Sequence, residues 1–117
     1  MADPAPSAHP SPALRNFERL LAAGNEGALL RFGLGNEFLK CGDVEAAATH
    51  LRRAVALDPG YSAAWKLLGK ILAETGDAAG AVNAYECGIA AAAKRGDKQA
   101  GKEMAVFLRR LEKSAGG

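Results

Sequence analysis

Aromatic side chains are scarce in this chain, at 6% of 117 residues, and alanine supplies much of the apolar content instead. A core made this way depends on closely approaching helices rather than on bulky layers. Strand-like alternation of apolar and polar residues is missing as well. Cysteine occurs only as Cys41 and Cys87, with neither metal-site nor redox spacing. Both read as reduced small apolar residues, and no disulfide framework is expected. No stretch approaches the roughly 20 consecutive apolar residues of a membrane span. The first residues hold Asp3 and a Pro/Ala/Ser run in place of the basic and apolar regions of a secretory signal. A cytoplasmic location is the expectation that follows.

Chemistry-bearing patterns are equally thin. Fifteen Lys and Arg against thirteen Asp and Glu leave a net charge of +2, too little to argue for a nucleic-acid partner. His9 falls in a Pro-rich segment. His50 stands alone on the polar side of a helical pattern, without Cys or carboxylate at ligand spacing, and reads as an exposed bystander. Gly33-Leu34-Gly35 lies inside a helical pattern rather than between strand and helix, so it is no phosphate loop. Glu37, Glu74 and Glu86 are scattered singly. No catalytic residues, metal or cofactor are expected, and the chain does not read as an enzyme.

What is present is a repeat. Trp65, Leu68, Gly69 and Leu72, followed by Ala81 and Tyr85, answer to Arg31, Leu34, Gly35 and Phe38, followed by Ala47 and Leu51; Gly42-Asp43 recurs as Gly76-Asp77. Each pair is 34 positions apart, and a fixed period of this size marks stacked helix-turn-helix units. Ala54 continues the i, i+4, i+7 stripe of Ala47 and Leu51, and the helix carrying it must end before Pro59. The pattern W-x-x-L-G-x-x-L, then A-x-x-x-Y, with Pro59 closing the earlier copy, resembles the tetratricopeptide repeat. That resemblance implies an all-α fold, a right-handed α-solenoid of antiparallel helix pairs with about six helices in a chain of this length. It also implies that Gly35 and Gly69 meet Ala47 and Ala81 where paired helices approach most closely.

Along the chain, residues 1–10 are expected to be a disordered Pro/Ala-rich tail. Residues 11–24 form a flanking helix that imitates the second half of a repeat, with Ser11 as N-cap and Pro12 at the first helical position. Repeat one covers 25–61, its first helix starting at Asn25, and repeat two covers 62–95. Ala93 stands where the closing Pro is expected, so the last paired helix continues to Gly96. Residues 96–114 form a capping helix with Ala100, Met104, Phe107, Leu108 and Leu111 on one stripe and fraying from Ser114.

Proteins similar to this one line a concave groove with the surface left over from packing. Here that surface is Leu29, Phe32, Asn36, Leu39 and Lys40 from repeat one, with Lys66, Lys70, Ala73 and Glu74 from repeat two. The resemblance implies a non-catalytic protein-interaction module and a peptide or protein partner. Asn36 matches an Asn with which some family members grip a carboxylate. Phe32, Leu67 and Gly101 occupy the other clamp positions, so a full clamp is not expected. Lys66 and Lys70 suit an acidic segment, at about 0.2 to 1 kcal/mol for each exposed pair. The alternative is a homodimer formed through the same apolar patch. A third reading uses the basic residues Lys94, Arg95, Lys98, Lys102, Arg109, Arg110 and Lys113 against nucleic acid or an acidic membrane surface. No stacking aromatics or groove-reading motif accompany them, which disfavours nucleic acid.

Overall fold

The computed structural model describes residues 11–116, all of whose regular elements are helices. They are α1 (Pro12–Ala22), α2 (Ala28–Lys40), α3 (Val44–Leu57), α4 (Ser62–Glu74), α5 (Ala78–Arg95) and α6 (Lys98–Gly116). The expected tail, 1–10, lies outside the described residues. Helices pair in chain order, α2 with α3 and α4 with α5; α1 packs on α2, α3 on α4, and α6 closes against α5 with a thinner contact to α4. The result is the all-α solenoid that the repeat implied.

The turns are built from one recurring device. Gly24, Gly42, Gly76 and Gly96 all take positive φ, a conformation open to glycine without a Cβ penalty. The residue after each of them, Asn25, Asp43, Asp77 or Asp97, donates its N–H back to the carbonyl of Leu20, Phe38, Leu72 or Ala92, which satisfies a helix end in the manner of a Schellman turn. The same Asp43, Asp77 and Asp97 then use their carboxylates as N-caps, accepting from the N–H of Ala46, Gly80 and Ala100. Asn25 differs: its side-chain amide also donates to Leu20 O. It therefore finishes α1 rather than starting α2, which begins at Ala28 behind Gly27 instead of at Asn25.

Packing inside each pair turns on a glycine. A Cβ on Gly35 would meet Leu51 Cγ at 2.7 Å, and one on Gly69 would meet the Tyr85 ring at 2.7 Å. The closest neighbour is thus the large residue one turn beyond Ala47 or Ala81, both of which are fully buried. The same logic holds between units. Gly88 lies under Met104 of α6 and the Cβ of Trp65, and Gly33 lies under the ring of Phe17 from α1. Leu51, Ala54, Leu68, Leu72, Ala81 and Tyr85 are buried in the continuous core, and Leu34 is buried as well.

Two aromatic residues of the repeat pattern sit at the edge of the core, and one expectation, that of His50, needs correction. Trp65 is only half-buried: its indole N–H reaches out to Pro59 O at 2.7 Å and clips the α3–α4 turn. Phe38 is also half-buried, and its ring stacks on His50 with centroids 5.4 Å and planes 5° apart. His50 is accordingly no bystander; its Nδ1 lies 3.0 Å from Arg31 Nη1. Helix α6 spans Lys98–Gly116. Helix α5 continues to Arg95, with Gly96 as its left-handed cap, as the missing proline predicts.

Candidate functional site

Helices α2, α4 and α6 line a groove of about 750 Å³. Helical spacing decides which side chains reach it. Phe32 and Asn36 are one turn apart on α2; Ala63, Lys66, Leu67, Lys70, Ala73 and Glu74 follow one face of α4; Phe107, Arg110, Leu111 and Ser114 follow one face of α6. Tyr85 of α5 completes the lining. Two aromatic pairs set its shape. Phe32 leans on Tyr61 with ring centroids 5.0 Å apart, and Phe107 leans on Tyr85 at 5.7 Å. Burial, followed by the charge of Glu74, pushes the Tyr85 phenol above its ordinary range.

Charge around the groove is unevenly spent. Lys66 is bound by Glu103 of α6, and Gln99 donates to the other carboxylate oxygen of Glu103 at 3.1 Å. The Lys66 hydrogen bond, followed by that of Gln99, holds the Glu103 carboxyl below the usual carboxylate range. Lys70 and Arg110 have no ion-pair partner among the described residues. They are the available cations of the groove.

Six of the nine residues expected from sequence are brought together here: Phe32, Asn36, Lys66, Lys70, Ala73 and Glu74. The other three are elsewhere. Leu29 is 75% exposed and stands apart from the groove lining, Leu39 packs against the core, and Lys40 turns outward to Glu37 at 3.2 Å. For Leu39 and Lys40 the reason is position along the helix rather than rotation. Leu39 and Lys40 are three and four residues beyond Asn36, at the end where α2 turns into α3 and the groove is no longer beside it.

Sequence reasoning misses the α6 wall, because α6 does not copy the repeat and its apolar stripe reads as a cap's packing face. The signal was its length: Phe107 and Leu111 recur at i and i+4 with Arg110 and Ser114 beside them. Leu67 does line the groove, as an apolar residue where a clamp Asn would stand, and a Cβ on Gly101 would look toward Ala92 instead. Among the described residues no group of three His, Cys, Asp or Glu is placed to hold a metal, and no helix is long and apolar enough to cross a membrane.

Comparison with known proteins identifies the repeat. Residues 32–97 match a family model described as tetratricopeptide repeat. The TPR repeat-containing protein PA0015 of Pseudomonas aeruginosa is 56% identical over 101 residues, 86% of this chain and 96% of that protein. The solution structure of protein BPP2914 from Bordetella parapertussis superposes with a TM-score of 0.74 at 48% identity, covering 89% of this chain and 90% of that one. A crystal structure of MamA protein shares the fold at TM-score 0.67 and 24% identity, covering 86% of this chain and 57% of that one.

Proposed function

The chain belongs to the tetratricopeptide repeat family, a family of protein-interaction modules, and from that premise we propose that it seats a segment of a partner protein in the α2–α4–α6 groove without catalysing a reaction. The observation that carries this reading is the combination of apolar walls, Phe32, Leu67, Phe107 and Leu111, with two unpaired cations, Lys70 and Arg110, on one groove. Bulky side chains of the segment supply most of the affinity through apolar burial, at about 25 cal/mol per Å². Acidic groups of the segment add about 0.2 to 1 kcal/mol each and weaken with salt. The groove lies on the helix faces that α3 and α5 leave uncovered, so a segment can enter without unpacking a helix pair.

The test is a pull-down from native lysate with the unaltered chain and with a Phe32→Ala/Lys70→Glu/Arg110→Glu variant, which leaves the Lys66–Glu103 pair intact. Partners captured by the first and lost by the second support the groove. Retention of every partner by the variant would end the reading. A second reading, self-association, draws on Leu29, a large apolar side chain left 75% exposed at the start of α2. Light scattering decides it: a monomer at high concentration excludes the homodimer.

A further inference from the structure

Among the described residues, the exposed faces of α1 and α3 mix charge signs. On α1 Glu18 lies beside Arg19, and the outer side of α3 carries Glu45 with Arg52 and Arg53. The edge formed by the end of α5 and by α6 is different. Lys94, Lys98, Lys102, Arg109, Arg110 and Lys113 are all exposed, and none has an ion-pair partner among the described residues. Two of the acids nearby are already engaged, Asp97 as the cap of α6 and Glu103 with Lys66 and Gln99, which leaves Glu112. Residues 94–113 contain seven Lys and Arg against three Asp and Glu, while the rest of the sequence contains eight against ten. The excess positive charge of the chain therefore sits on this edge.

Four of the cations form a row. At 100° per residue, Lys98, Lys102, Arg109 and Lys113 fall within an arc of about 60°, and the row spans about 22 Å along the helix. It lies opposite the stripe of Met104, Phe107 and Leu111 that faces the core and the groove. Ala105 and Val106 occupy the gap in its middle, and Val106 is 40% exposed.

We propose that the outer face of α6 docks the protein on the surface of an anionic lipid bilayer, the row lying flat against the headgroups. Protein interfaces are depleted of Lys and gather aromatic anchors at their centres; three of the four cations of this row are Lys, and the row has no aromatic side chain. Single-stranded nucleic acid needs stacking platforms, and the Phe107 ring is turned inward to Tyr85. A straight row meets the winding phosphates of a duplex at few points. A flat bilayer engages all four cations at once, requires no recognition geometry, and accepts the exposed Val106. The proposal is independent of what the groove binds.

The experiment is co-sedimentation of the full chain with vesicles of phosphatidylcholine, with and without phosphatidylglycerol, at low and high salt. Binding should appear only with phosphatidylglycerol and fade as salt rises. Each cation near such a surface contributes roughly a fivefold factor, so Lys102→Gln/Arg109→Gln should bind about thirtyfold more weakly. Both side chains are exposed, and an unchanged thermal transition by circular dichroism verifies that the variant is folded. Failure of the unaltered chain to sediment with anionic vesicles at low salt overturns the proposal. So does equal binding to neutral vesicles, equal binding by the variant, or tighter binding to a duplex oligonucleotide than to the vesicles.

Discussion

At the scale of single residues, two positions decide how the helices meet. Gly69 has helical neighbours on both sides, so alanine there gains about 1 kcal/mol of helix propensity. The added Cβ, however, would stand 2.7 Å from the Tyr85 ring, which is held in the core and against Phe107. Overpacking costs about 1 to 3 kcal/mol. The clash should prevail: Gly69→Ala is expected to lose about 1 kcal/mol and Gly69→Leu about 3 kcal/mol, read from urea midpoints. A gain in stability for either would show that the ring has room to retreat.

His50 is the other such position, and it sets a pH dependence. Its imidazole lies flat on Phe38 and offers Nδ1 to the Arg31 guanidinium, a hydrogen bond only the neutral ring can accept. Burial, then the charge of Arg31, pushes its pKa down, while Glu18 and Glu26 pull the other way. The unfolded chain therefore takes up the proton first as pH falls. The contribution of neutral His50 is complete above about pH 6.5, the unfolded value, and declines as pH falls from there toward the lower folded pKa. Thermal melts over this window should show stability falling with acidification. His50→Gln, which cannot take the proton, should flatten the curve. Persistence of the slope in that variant would place the titrating group elsewhere.

At the scale of elements, the sequence was most informative where each piece repeats. The glycine with its following Asp or Asn marks the helix stops, and the stripe of Leu34, Ala47, Leu51 and its copy marks the buried faces. What could not be read was how one residue divides its bonds between two helices. Asn25 looks like a helix start, yet its amide is used by α1. Trp65 looks like core, yet its N–H is spent on the turn at Pro59 and keeps the ring half out. His50 looks solvated because its partners, Arg31 and Phe38, come from the preceding helix. Removing a cap tests the stop device directly. Asp77→Ala should cost about 1 kcal/mol by freeing the Gly80 N–H. Asp97→Ala should cost a similar amount by freeing that of Ala100. Denaturant unfolding measures both.

At the scale of the whole molecule, the groove was half legible because only two of its three walls come from the repeat. Phe32, Asn36, Lys66 and Lys70 follow from family position, whereas Phe107, Arg110 and Leu111 depend on how far α6 continues past α5. That helix has two duties. Met104, fully buried, sits over Gly88, and a solenoid of this size is near the smallest that can bury a continuous core. Met104→Ala should therefore cost about 2 to 5 kcal/mol, a large share of the 5 to 15 kcal/mol available to an ordinary domain. Phe107→Ala should behave differently. Its ring is half-buried and lines the groove, so the lost wall should weaken groove-dependent capture even where the helix stays docked. Circular dichroism melts and pull-downs on the two variants separate these duties. If Met104→Ala melts like the unaltered chain, α6 is not the cap that its packing implies.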